Sequence, residues 1–369
     1  NVIGLRYGGA ATPEHRRLTL SNTFNATADF AANMVRLGWF TGVGLLADRT
    51  ARQAGYRPAS RPADRIVPDR DTVMADIIDL FRRDAELVRS GAAAPGGEPA
   101  GGLIDHIGRL RAMLDDIPST IERQTSRRVD TATTAIDSSG LPNYFTQDFH
   151  FQTGGYLSDQ SARLYDVQVE MLFRGSAFAM RRQALAPIAD FMHGRDQRNV
   201  SLLDIACGTG RFLREVRQVY PAMRLAGLDL SRPYLREAEI HLNGLRGVQW
   251  IEGNAEAIPL ADASQDIITS IYLFHELPPE VRRTVVAEVA RLLKHGGLFV
   301  FIDSLQRGDR PGGWDGFLDG FPERFHEPYF RHYAIDDLDS VFATADLHPV
   351  ASWPAFLSKV MVRRKQTNA

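Results

Sequence analysis

The run Leu202-Leu203-Asp204-Ile205-Ala206-Cys207-Gly208-Thr209-Gly210 constrains this 369-residue chain most tightly. It reads as a buried strand that passes through a glycine turn into a helix beginning at Arg211. Gly208 and Gly210 carry no Cβ, so the backbone there can turn sharply and approach a ligand closely. A second apolar strand, Leu225 to Leu230, carries Asp229 near its end. A carboxylate at that place is set to accept hydrogen bonds from two ribose hydroxyls. The combination predicts a site for a nucleoside-bearing ligand.

The residues around the turn narrow the ligand. A dinucleotide fingerprint needs a third glycine three positions after Gly210, and Leu213 stands there. Asp204 lies inside the strand, just before the turn. Beside a pyrophosphate its charge would be repulsive; beside an ammonium and a sulfonium it is attractive. Asp204-x-Ala206-x-Gly208-x-Gly210 thus resembles the first motif of class I S-adenosylmethionine-dependent methyltransferases, with Ala206 in place of the first glycine.

The C-terminal half continues the resemblance in order. Val248 to Glu252 reads as a third strand leading into Gly253-Asn254-Ala255, and Asp266 to Tyr272 as a fourth, followed by His275-Glu276. Glu280 to Leu293 has helical spacing, Gly296-Gly297 ends it, and Leu298 to Ile302 is a fifth strand. Ala334 to Ala345 reads as a helix, and Val350 to Phe356 with Ser358 to Arg363 as a terminal hairpin. The alternation implies a doubly wound α/β sheet. The resemblance spans residues 145 to 369 and is nearest the ubiquinone/menaquinone C-methyltransferase-like branch. It implies a seven-stranded Rossmann-like sheet with the last strand antiparallel, and S-adenosylmethionine as cofactor. It places Asp204, Ala206, Gly208, Gly210, Asp229, Leu230, Ala255 and Tyr272 around that cofactor. Asn254 takes the adenine position, where the family commonly has Asp; an amide oxygen can accept the same bond. Tyr165, with Tyr156 and Gln152, falls in a segment expected to fold over the cofactor.

Methyl transfer from a sulfonium needs mainly alignment, and a general base only for a poor nucleophile. His275, at the C-terminal end of the fourth strand, is the candidate base or else a wall of the cofactor pocket, with Glu276 beside it to orient the ring. After the fifth strand, Trp314, Phe317, Phe321, Phe325, Phe330 and Tyr333 suggest an apolar acceptor pocket or an elaborated core, and His326 or Tyr329 a contact to a phenol or enol. His326, Glu327 and His332 fit no standard ligand spacing, so no metal is expected. Cys207, the single cysteine, reads as structural. The expected activity is methylation at carbon or oxygen of a small, apolar or aromatic acceptor. Two alternatives stay open: a regulatory or scaffold protein that binds the cofactor without methylating, and an enzyme using the fold for another reaction on the cofactor.

Residues 1–130 lack this strand alternation and read as a helical unit, with 131–147 as linker and 148–369 as the cofactor-binding domain. Phe24, Ala28, Ala31, Val35 and Trp39 form one helical stripe. Asp71 is a candidate cap for a second helix. Leu103, Ile107, Leu110, Leu114 and Ile117 mark a third, which Pro118 interrupts. These faces pack on one another, cap the acceptor pocket or form a homodimer seam. A net charge of −2 and short basic runs argue against nucleic acid as partner. One cysteine excludes an internal disulfide and fits a reducing cytoplasm. No apolar run in the sequence approaches a membrane span, and no signal peptide is evident.

Overall fold

The computed structural model describes residues 13–57, 65–96, 102–126, 139–245 and 247–366. Seven strands form one sheet: β1 (Ser201–Ile205), β2 (Arg224–Asp229), β3 (Val248–Glu252), β4 (Gln265–Ile271), β5 (Leu293–Ser304), β6 (Leu347–Ala355) and β7 (Ser358–Lys365). Their order is β3-β2-β1-β4-β5-β7-β6. The first five run parallel; β7 is antiparallel to both β5 and β6. Parallel strands need crossovers, and crossovers put helices on both faces. Every residue of β1 is accordingly buried. Strand periodicity divides the core in two: Leu202, Val300 and Ile302 face one layer, and Leu203, Phe299 and Phe301 the other. The expected hairpin closes at Phe356-Leu357, pairing Ala355 with Ser358.

Twelve helices surround the sheet among the described residues: α1 (Pro13–Gln53), α2 (Arg70–Ser90), α3 (Gly102–Ser126), α4 (Asp159–Leu172), α5 (Ala177–Arg182), α6 (Leu185–Met192), α7 (Arg211–Val219), α8 (Arg232–His241), α9 (Pro279–Leu292), α10 (Asp315–Arg324), α11 (Phe330–Tyr333) and α12 (Leu338–Thr344). The chain from β1 to β4 winds first toward β2 and β3 and then back across β1. The resulting crevice opens at the C-terminal strand ends, where ligands of such sheets bind.

The N-terminal helices form as expected but have no core to themselves. Leu37 of α1 and Ile77, Leu80, Phe81 and Val88 of α2 share one cluster with Met180, Ile188, Leu202 and Val300. Arg310, in the loop after β5, ties α2 to the sheet through a bidentate pair with Asp76 and lies over the Trp314 ring. The 131–138 part of the expected linker lies outside the described residues.

Three local expectations change. Asp69, not Asp71, caps α2, accepting from the Thr72 N–H at 2.7 Å. Helix α3 runs through Pro118 to Ser126. The stripe of Phe24, Ala28, Ala31, Val35 and Trp39 faces outward, with Phe24 and Val35 74% and 72% exposed. Asp29 and Asn33 are buried instead, because Arg182 lies behind them: it pairs with Asp29 and with Asp84, and Asn33 donates to Asp84 at 2.8 Å. Helix α1 therefore carries apolar residues on both sides. Its Ser21–Gln53 stretch holds an 18-residue window of mean hydropathy 1.2, long and apolar enough by length and composition to cross a membrane, which inspection of the sequence alone did not show.

Candidate active site

The glycine turn begins where β1 ends. Ala206 and Gly208 both adopt φ of 54°, a left-handed conformation that disfavours a side chain. Ala206 holds this backbone even though it is not glycine. The Gly208 N–H donates to Asp229 Oδ2 at 2.8 Å, and a Cβ added to Gly208 would meet only the Tyr234 ring at 4.0 Å. The space in front of Gly208 belongs to the cleft. Gly210 has another role. A Cβ there would lie 2.9 Å from Ala238, 3.0 Å from Leu242 and 3.2 Å from Trp250, so its absence lets the turn pack on α8 and β3. Leu213, which replaces the third glycine of a dinucleotide fingerprint, fits because Gly227 on β2 leaves room for its methyl group.

Asp229 is the most constrained acid of the site. Gly208 N–H binds one oxygen and Ser231 N–H the other, each at 2.8 Å. Burial pushes its carboxyl up to about 6, against the pull of these backbone donors. Two ribose hydroxyls donating to the remaining lone pairs would favour the ionised form. Asp229 and Gly208 lie in the wall of a cleft, together with Ala206, Leu230, Asn254, Ala255, Tyr272 and Tyr165. The Asn254 amide oxygen accepts from the Glu256 N–H at 2.9 Å and lies 3.5 Å from the Tyr144 hydroxyl.

Asp204 does not reach this wall. It is 2% exposed, and Thr269 Oγ1 donates to it at 2.6 Å. Burial raises its carboxyl to about 7, with Asp229 adding to the effect. Its position inside β1, between two paired strands, withdraws it from direct contact with a ligand. Gly210 is likewise outside the cleft, for the packing reason above. Cys207 is buried, and burial holds its thiol well above the usual range, as a structural cysteine requires.

The cleft is also aromatic, but not with the rings that the insert after β5 suggested. Trp314, Phe330 and Tyr333 are buried in the core, and Phe321 packs between Phe325 and Phe330. The rings on the cleft come from the segment leading into α4, as Tyr144, Phe145, Phe149 and Tyr156, with Tyr165 and Tyr234. Tyr156, Tyr165 and Tyr234 meet edge to face with centroids 5.3 to 6.2 Å apart. Their signal in the sequence was the density of rings between residues 144 and 156. Gln152 is buried and bonds Gly155 O.

Of the four residues expected to do chemistry, the cleft presents one, Glu276, whose Oε1 accepts from Tyr156 OH. His275 stands behind it. Its Nδ1 lies 2.6 Å from Asp303 Oδ1. Burial alone would lower its pKa, but Asp303, Glu327 and Glu276 lift it to about 10. His326 bonds Gln147 Oε1 at 2.7 Å, and Tyr329 OH accepts from Gln147 Nε2 at 3.3 Å; neither lines the cleft. Of the three residues weighed for a metal, His332 instead faces Arg282, while Glu327 turns inward toward His150 and Glu276. Sequence reasoning missed His150, which lies far from both in the chain.

A crevice at the switch point of a seven-stranded sheet with one antiparallel strand is the arrangement of a class I methyltransferase fold. Residues 202–297 match the family described as Methyltransferase domain, whose cofactor is S-adenosylmethionine. The chain is 32% identical over 146 residues to the ubiquinone/menaquinone biosynthesis C-methyltransferase UbiE of Desulfotalea psychrophila, covering 40% of this chain and 56% of that one. It is 33% identical over 112 residues to the demethylmenaquinone methyltransferase of Lactococcus lactis, covering 30% and 44%. The chain thus spans about half the length of these curated relatives. Among solved structures, an S-adenosylmethionine-dependent methyltransferase from Aquifex aeolicus superposes with a TM-score of 0.38 at 18% identity, covering 49% of this chain and 89% of that one.

Proposed function

We propose that this protein transfers the methyl group of S-adenosylmethionine to carbon or oxygen of a small, apolar or aromatic acceptor. The observation that carries the reading is the placement of Asp229. Its carboxylate is fixed by two backbone N–H groups in the wall of a cleft that aromatic rings also line. In this reading Asp229 binds the ribose, Asn254 with Ala255 the adenine, and Leu230, Ala206, Tyr272 and Tyr165 the remaining surface. Asp204 acts through its charge from behind the turn.

The bound cofactor supplies both the methyl group and its leaving group, so the protein's part is orientation, which is worth roughly 7–11 kcal/mol when the alignment is good. Apolar rings suit that part, because they exclude water around a positive charge that disperses as the methyl group moves. Glu276 is the ionisable group on the acceptor side. His275 serves as a positioning residue that keeps Glu276 and Asp303 in place.

Transfer of label from methyl-labelled S-adenosylmethionine, with the purified protein added to host-cell extract, tests the proposal. The expected result is label in a small apolar product. Label in protein or RNA would overturn the acceptor class. Cofactor consumed with no methylated product would point to a different reaction on the same fold.

A further inference from the structure

One cluster of ionisable side chains meets the cleft through Glu276. His150 comes from the turn Phe149–Phe151, Glu276 from the turn after β4, and Glu327 from the loop between α10 and α11. Each offers one ligand atom, and these atoms lie within 4.8 Å of one another. His150 Nε2 is 3.0 Å from Glu327 Oε1 and 3.8 Å from Glu276 Oε1. Neighbouring ligands at about 2.1 Å from an ion sit about 3.0 Å apart in six-coordination and about 3.4 Å apart around a tetrahedron. His150 and Glu327 stand at the six-coordinate spacing, and the other two separations, 3.8 Å for His150–Glu276 and at most 4.8 Å between the glutamates, would shorten on an ion.

Glu327 supplies the second observation. Its side chain is 0% exposed, and neither carboxylate oxygen has a hydrogen-bond partner. A buried carboxylate without such partners is among the costliest arrangements a fold can hold. Its close cationic neighbour is the His150 ring, 3.0 Å from Oε1 but without hydrogen-bond geometry. His275 is committed to Asp303 through Nδ1, and its Nε2 lies 3.8 Å from Glu276 Oε1. His150 faces both glutamates with a single ring nitrogen.

We propose that His150, Glu276 and Glu327 form a site for one divalent first-row transition-metal ion, of the kind of Mn²⁺ or Zn²⁺. One imidazole and two carboxylates, with no thiolate, suit such ions and disfavour soft monovalent copper. Two carboxylates neutralise the ion's charge. Three protein ligands leave further positions open. Glu276 also lines the cleft, so an open position can take an oxygen of an acceptor such as a phenol or an enolisable carbonyl. That last consequence rests on the methyl-transfer reading; the site itself does not.

The test uses chelator-treated full-length protein titrated with Mn²⁺, with no cofactor or acceptor present, following loss of the free-ion electron paramagnetic resonance signal. The expected result is one ion per chain with micromolar affinity, displaced by Zn²⁺. Glu327→Gln and His150→Gln should each weaken binding at least tenfold while keeping the circular dichroism spectrum of the parent. If Glu327→Gln fails to fold, His150→Gln decides. No binding by the parent at millimolar Mn²⁺ or Zn²⁺, or unchanged affinity in both variants, would overturn the proposal. Since the readout needs no methyl donor, its failure is separate from failure of the methyl-transfer reading.

Discussion

Asp204 and Asp229 are two buried acids on adjacent strands with opposite exposure to the cleft. Asp229 faces it with its oxygens held open by backbone donors. Replacing Asp229 with alanine should therefore lower S-adenosylmethionine affinity at least tenfold, measured by calorimetry, with the fold retained. Asp204 is satisfied by Thr269 alone, and burial raises its carboxyl to about 7. A carboxyl raised above its unfolded value destabilises the fold increasingly as pH climbs from about 4 through 7. Asp204→Asn keeps the acceptor oxygen for Thr269 and removes the charge. The ligand-free variant should melt several degrees higher than the parent at pH 8, with the gain disappearing near pH 4. Calorimetric scans across that range would check it. If Asp204 helps to hold the sulfonium, the same variant should lose affinity for S-adenosylmethionine more than for its demethylated, neutral-sulfur product.

The strand-turn-helix element separates ligand access from packing, residue by residue. Gly210→Ala puts a methyl group against Ala238 and Leu242 at a φ of 72° and should destabilise the protein by about 2 kcal/mol or more, read from urea unfolding. Gly208→Ala meets open space and pays mainly backbone strain of roughly 1 kcal/mol. It should reduce cofactor affinity far more than stability. This element was legible in the sequence, because strand period, glycines and the next strand's acid lie within thirty residues of one another. So were the sheet and its terminal hairpin, whose apolar runs are long. The polar inner face of α1 was not legible. Both sides of that helix carry apolar residues, and the choice between them is made by Arg182, more than 140 positions away, which only a buried pair with Asp29 and Asp84 can accommodate. The cleft's working cluster was hidden for a similar reason, since His150, Glu276 and Glu327 share no local pattern.

At the scale of the molecule, the helices before residue 127 and the sheet are one packed body. Arg182 shows how tightly they are joined: it is fully buried and contacts α1, α2 and the Ala94 carbonyl. Arg182→Met would leave Asp29 and Asp84 buried without their cation and should destabilise the protein by about 3–5 kcal/mol, measured by chemical denaturation. A fragment beginning at residue 139 should lack a cooperative melting transition, because Met180, Ile188 and Val300 lose the side chains of α1 and α2 that cover them. Recovery of a sharp transition from that fragment would show that the sheet stands alone.

The shared core also sets a timetable for synthesis. Helices α1 and α2 leave the ribosome long before β7, the last of the strands that complete their cluster. At bacterial or eukaryotic elongation rates the interval is roughly fifteen to fifty-five seconds. Throughout it, the faces of α1 and α2 that pack on the sheet stay uncovered. The nascent protein should depend on a holding chaperone during that window, and slowing translation between the codons for residues 90 and 362 should lower the yield of soluble product.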